Sequence, residues 1–235
     1  MNFEKFLPQS IDRTVTIKFI AVVLVLLIGK NTKGQVAFEW ANTLGSSGIT
    51  ITALVTDQLG NVYTTGQFGG TVDFDPKAGV HNITAGGNID YFLLKLDPLG
   101  NFVWVKTMTS SNNRVIGKKL CIAADNSVLI LGEFSGLVDF DPNAGIQTVA
   151  AVTGDLFIQK IEANGNLIWV KTFVSFSTSF GPTAGDLSLD KQGNIYSTGS
   201  FYDSVDVDPG PSVSKIYSNK DADVFILKLD AQGDF

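Results

Sequence analysis

The chain has 235 residues, 44% hydrophobic and 17% charged, enough apolar material for one substantial globular domain and too much for intrinsic disorder. Its formal net charge of −6 speaks against nucleic acid as a partner, which needs clustered Lys and Arg; one histidine excludes a His-rich zinc site, and one cysteine excludes an intrachain disulfide. The 24 glycines and 17 phenylalanines favour pleated strands joined by tight turns.

Residues 1–34 read as a signal peptide. Lys5, Arg13, Lys18, Lys30 and Lys33 flank the apolar run from Phe19 to Gly29. In a helix that run spans about 16 Å, half of a bilayer core of about 30 Å. Small residues at Thr32 and Gly34 suit cleavage before Gln35. The expectation is export, to the cell surface or beyond, with no membrane attachment after cleavage. A retained N-terminal anchor is the alternative.

From residue 35 to residue 235 the chain repeats itself. "GNVYTTGQF" (Gly60 to Phe68) returns as "NSVLILGEF" (Asn126 to Phe134) and "GNIYSTGSF" (Gly193 to Phe201). "DYFLLKLDPLGNFVWVKT" (Asp90 to Thr107) returns as "DLFIQKIEANGNLIWVKT" (Asp155 to Thr172) and "DVFILKLDAQGDF" (Asp223 to Phe235). The period is about 66 residues. In chain order the reading is the last strand of a unit at 36–44, then repeats at about 49–108, 115–173 and 183–235, the last one short of its final strand.

Each repeat resolves into four strands; in the first they run about Ile51 to Thr56, Val62 to Phe68, Asp90 to Leu96 and Phe102 to Thr107. Apolar residues alternate rather than recur at helical spacing. Phe92, Leu94 and Leu96 share one face; Phe102 and Trp104 are expected to share another, with Val103 and Val105 opposite. Gly-containing turns ("DPLGN", "EANGN", "AQGD") join the third and fourth strands. Repeated four-stranded units imply an all-β fold, a β-propeller built from ~66-residue blades and forming an incomplete ring. A β-solenoid is the runner-up, with coils too short for these units.

The repeat phrases lack the Gly-His and Trp-Asp pair of the WD type. They resemble the bacterial secreted family built from SBBP-type (seven-bladed-propeller-like) repeats, whose units carry the same "GNVY-TG-F", "VDFDP" and "D-F--KLD--GN--W-K" phrases. The resemblance covers Val36 to Phe235 and implies an extracytoplasmic protein, often with further modules. It implies little about molecular role. The chain is accordingly expected to be part of a longer one with further blades, or a truncated gene product.

The phrase "VDFDP" recurs with its aspartates in place: Asp73 and Asp75, Asp139 and Asp141, Asp206 and Asp208. On an extended chain both carboxylates of a pair point one way while Val and Phe point the other. The structural duty is to accept turn N–H groups while the apolar residues dock. The functional duty would be calcium, which takes carboxylate and carbonyl oxygens, although the pattern lacks the glycine and distal glutamate of an EF-hand loop. No other cofactor is implied. Cys121 stands where the other copies carry Leu or Val and reads as a small buried hydrophobe; His81 lies in a variable loop and reads as a surface residue. No nucleotide-binding, hydrolase or zinc-protease motif is present. The functional expectation is a non-enzymatic scaffold or binding module for a protein or glycan. The alternatives are the propeller of a secreted lyase or hydrolase, and a calcium-stabilised adhesion module.

Overall fold

The computed structural model describes residues 39–45, 48–109 and 114–235; the leader expected at 1–34 lies outside them. Among the described residues every regular element is a strand. In chain order these are β1 (Ile49–Thr56), β2 (Val62–Phe68), β3 (Thr71–Asp73), β4 (Asn82–Thr84), β5 (Asp90–Leu96), β6 (Phe102–Met108), β7 (Val115–Ile122) and β8 (Val128–Asp139). They continue as β9 (Thr148–Ile161), β10 (Leu167–Phe173), β11 (Thr183–Leu189), β12 (Ile195–Phe201), β13 (Ser204–Asp206), β14 (Lys215–Tyr217) and β15 (Asp223–Leu229).

Three antiparallel sheets result, ordered β1-β2-β5-β6, β7-β8-β9-β10 and β11-β12-β15, each the product of one sequence repeat. The connection that carries VDFDP folds as a small hairpin beyond the end of each sheet. It is β3/β4 in the first repeat, a continuation of β8 and β9 in the second, and β13/β14 in the third.

The sheets pack face to face. Alternate residues of the middle sheet go to opposite sides: Val128, Ile130, Phe157 and Ile161 join Tyr63, Tyr91, Leu93 and Met108 of the first sheet, while Leu129, Leu131, Leu156 and Ile158 join Ile195, Phe225, Leu227 and Leu229 of the third. A strand with two dry faces needs apolar residues at both parities, which is why β8 opens with an unbroken Val-Leu-Ile-Leu run. On the far side of the first sheet, Phe68, Phe92, Leu94 and Leu96 form a third cluster with Val72 and Phe74.

One expected facing is corrected. Phe102 and Trp104 do not share a face: Phe102 packs with Val105 in the outer cluster of the first sheet, and Trp104 packs in the cluster between the first and second. The cause is a bulge. Leu96 pairs with Phe102 and the adjacent Lys95 pairs with Trp104, so Val103 is left over, turned toward solvent, and the alternation changes phase. The same slip recurs at Ile168 in β10.

The glycine of the second strand is fixed by close approach. A Cβ on Gly66 would meet the Thr50 carbonyl oxygen; on Gly132 the Ile116 carbonyl oxygen and the Phe157 ring; on Gly199 the Thr183 carbonyl oxygen. First strand and second strand therefore touch where only hydrogen fits. Gly132→Ala is expected to destabilise the domain by about 3 kcal/mol, since a backbone carbonyl cannot rotate away. Chemical denaturation of variant and parent measures it, and equal midpoints would refute the close approach.

Candidate functional site

The six aspartates singled out in the sequence fall on three separate hairpins. Each pair repeats one geometry. Asp73 Oδ1 accepts the N–H groups of Asp75 (3.0 Å) and His81 (2.7 Å), Asp139 Oδ1 those of Asp141 (3.1 Å) and Gln147 (2.8 Å), and Asp206 Oδ1 those of Asp208 (3.2 Å) and Ser214 (2.8 Å). The second member caps its own turn: Asp75 accepts from Lys77 N, Asp141 from Asn143 N and Asp208 from Gly210 N. The hydrogen bond from His81, with that from Asp75, holds the Asp73 carboxyl below its ordinary range. Alternating with the aspartates, Val72, Phe74, Val138 and Phe140 are wholly buried, and Val205 and Val207 nearly so. The motif pins a loop with its acids and plugs the end of a sheet with its apolar residues. Among the described residues no three His, Cys, Asp or Glu side chains are grouped as metal ligands.

The remaining recurrent acids serve turns. Asp57 Oδ1 accepts from Leu59 N and Asn61 N, Asp97 Oδ1 from Leu99 N and Asn101 N, and Asp190 Oδ1 from Gln192 N and Asn194 N. Burial raises the Cys121 thiol to about 12, with Asp186 adding to the shift, which leaves it protonated and inert as a nucleophile at neutral pH. His81 is exposed and stacks on Phe102, with ring centroids 4.6 Å apart.

A different set of residues converges where the copies disagree. A cleft of about 450 Å³ opens at one end of the sheets, with Asn88, Arg114, Glu133, Ser135, Thr153 and Asp155 among its walls. Glu133 is buried, and each carboxylate oxygen is used: Oε1 accepts the Ala184 N–H at 3.0 Å, while Oε2 accepts from Arg114 Nη2 at 3.1 Å and faces Lys118 Nζ at 3.5 Å. This glutamate therefore links the second sheet to the first strand of the third. Two cations around one buried carboxylate leave the group net positive, and the Arg114 side chain remains about half exposed.

Asp155 is also buried, and its Oδ1 accepts the Ser175 N–H at 2.8 Å. Loss of solvation pushes its carboxyl up to about 6, the one hydrogen bond only partly offsetting it. Phe180, the chain neighbour of the wall residue Gly181, is 61% exposed and stacks against Tyr202 with ring centroids 5.1 Å apart. Sequence comparison of the copies could have flagged Glu133, which replaces Gln67 and Ser200 in otherwise matching phrases; nothing in the repeat pattern signals Arg114.

No family model matches the sequence. The chain is similar, at 23% identity over 207 residues, to a protein of Acanthamoeba polyphaga mimivirus described as an uncharacterized WD repeat-containing protein, L264; the alignment takes in 70% of this chain and 15% of that protein's length. A solved structure of a protein of unknown function from Bacteroides caccae aligns over 80% of each chain at 9% identity with a TM-score of 0.25, too low to bear on the fold.

Because Asp155 has its native carboxyl raised from 3.8 to about 6, the folded state holds a proton that the unfolded state has released, and stability declines as pH rises between those values. The cost is fully present above pH 6 and amounts to about 3 kcal/mol. Asp155→Asn, whose amide oxygen can still accept from Ser175, is expected to raise the melting temperature at pH 8 and leave it unchanged at pH 3.5. Equal gains at both pH values would refute the assignment.

Proposed function

We propose that the chain is part of an exported β-propeller of the SBBP-repeat type that works as a non-enzymatic binding module, engaging a protein or glycan through the cleft at the end of its sheets. The three sheets are its blades, and further blades belong to the same assembly. What carries the reading is the contrast between scaffold and cleft. Most of what recurs in threes serves packing and turns, whereas Arg114 and Glu133 carry charges that the other copies lack at their positions and stand together in a cavity. Similarity to a WD repeat-containing protein supports a repeat fold of this kind.

The cleft's chemistry suits a polyhydroxylated ligand. Asn88, Ser135 and Thr153 supply short polar groups, Arg114 a half-free guanidinium, and Phe180, next to the wall residue Gly181, an exposed aromatic face, the mixture of directional hydrogen bonding and apolar stacking that concave ligand sites use. Printed arrays of neutral and acidic oligosaccharides, probed with the labelled chain, test this. The expected result is selective binding that Arg114→Ala and Phe180→Ala each weaken at least tenfold while circular dichroism shows both variants folded. Binding that both variants retain would sink the cleft as the site.

A second reading, a carbohydrate-active enzyme, is favoured by one observation: Asp155, with a carboxyl near 6, shares the cleft with a second acid, and glycosidases work with two carboxyl groups in unlike environments. Hydrolysis or eliminative cleavage of an array ligand, abolished in Asp155→Asn, would replace the binding reading with this one.

Calcium at the hairpin aspartates is the third proposal, supported by the threefold recurrence of the paired carboxylates. It predicts that EDTA lowers the melting temperature by about 5 °C and that added calcium restores it. A melt indifferent to both removes calcium from the account.

A further inference from the structure

One buried acid of the cleft lacks a hydrogen bond that its counterparts make. Asp90 Oδ2 accepts the Gly86 N–H at 2.6 Å and Asp223 Oδ2 the Asn219 N–H at 2.8 Å, in each case from the loop four residues ahead. The second repeat has strand in place of that loop: β9 runs unbroken from Thr148, and Ala151, four residues ahead of Asp155, stands opposite Gly136. Asp155 therefore accepts from Ser175 N through Oδ1, while its Oδ2 makes no hydrogen bond among the described residues. The residue is 5% exposed and lines the cleft, so water scarcely supplies the missing partner.

Arg114 has the complementary surplus. Its Nη2 donates to Glu133 Oε2, whereas Nε and Nη1 donate to nothing among the described residues, and the side chain is 54% exposed. Glu133 does not compete for a ligand, because the Ala184 N–H, Arg114 and Lys118 take up both its oxygens. Val115, next to Arg114, and Asp155 both stand opposite Phe134, so the residues that carry the guanidinium and the open carboxyl flank one strand end.

We propose that the cleft selects an acidic sugar, whose carboxylate accepts from the free edge of Arg114 and from the Asp155 carboxyl, with a neighbouring ring on Phe180. This rests on the cleft being a binding site and specifies what it takes. A guanidinium edge presents parallel N–H groups that match the two oxygens of a carboxylate. The cavity of about 450 Å³ falls within the range of about 300 to 1,000 Å³ of small-molecule sites, which suits a short stretch of glycan. Asp155 supplies its O–H only while protonated, and burial keeps that proton in place up to about pH 6. The charged groups around it are Arg114 and Lys118 at β7 and Glu133 in β8; residues 174–182, which pack on it, hold none, and Asp90, beside the wall residue Ile89, is turned to Gly86. Two cations and Glu133 leave one positive charge while Asp155 is neutral and none once it ionises. Binding is therefore tighter below pH 6 and weakens by up to about thirtyfold between pH 5.0 and 7.5, as one proton is lost.

Paired probes test this: uronic-acid and sialylated oligosaccharides and their neutral methyl esters, titrated calorimetrically into the whole chain at pH 5.0 and 7.5. At least one acid is expected to bind tenfold or more tightly than its ester at pH 5.0, to weaken toward pH 7.5, and to lose its advantage over the ester in Arg114→Ala. Asp155→Asn, whose amide stays neutral and can donate, is expected to bind that acid at pH 7.5 as tightly as the parent does at pH 5.0. A merely structural role for Asp155 would produce no such gain. Esters that bind as well as the acids, through a cleft that Arg114→Ala and Phe180→Ala still impair, overturn the selection of acids and leave the cleft as a binding site. An acid preference that is level across pH in the parent overturns the Asp155 contact. Peptides with a free C-terminal carboxylate that bind where no sugar does overturn the glycan assignment. Silence from every probe overturns the cleft as a site, and this inference with it.

Discussion

A four-stranded sheet with apolar residues at both parities cannot face water on either side, and that constraint organises this protein. The middle sheet meets it fully: Val128 and Ile130 turn one way, Leu129 and Leu131 the other, and all four are essentially inaccessible. Each sheet therefore needs a neighbour on each face, and stacking rather than closure of a single core is the source of stability. Burial of this kind stabilises by about 25 cal/mol per Å² of apolar surface, so an uncovered face is costly. The repeat length follows from the same need, because one unit is the least chain that makes one such sheet.

Stacking alone would let sheets slide. Two recurrent devices hold the register between neighbours. The tryptophan of a fourth strand reaches across to the turn of the following unit, Trp104 donating to Ala163 O and Trp169 lying against Gly233, and Trp40, ahead of β1, donates to Pro98 O in the equivalent turn of the first unit. Gly100, Gly165 and Gly233 take positive φ there and leave room for the incoming side chains. The VDFDP hairpin closes the other gap, its aliphatic and aromatic residues entering the inter-sheet core and its carboxylates fastening the loop above them. Both devices are local, so each new unit can be added without altering the last.

The regularity is broken at one end of the second sheet. Glu133 sits at a position that the other repeats fill with Gln67 and Ser200, and its buried carboxylate draws Arg114, Lys118 and the Ala184 N–H around it. The result is a polar wall on an otherwise repetitive scaffold. Asp155 opens its strand as Asp90 and Asp223 open theirs, but burial beside the loop at Ser175 raises its carboxyl to near neutrality. A scaffold of repeated units thus acquires an individual cleft through a few substitutions at strand ends.

The repeat, the four strands of each of the first two sheets and the turn-accepting duty of the paired VDFDP aspartates were legible in the sequence, whereas the hairpin that the VDFDP connection forms was not. Three aligned copies expose alternation and turn chemistry that depend on near neighbours in the chain. The facing of Phe102 was not, because a single bulged residue at Val103 shifts the phase and leaves no mark in composition. Nor was the cleft: Arg114, Glu133 and Asp155 meet at one end of the second sheet, where Val115 and Asp155 both oppose Phe134, and the stacked neighbours complete the walls with Asn88 from the first repeat and Pro182 and Thr183 from the third. Local pattern depends on residues two to four apart and so is written along the chain. A site assembled from strand ends of successive units depends on how sheets lie on one another, and that the tertiary structure alone decided.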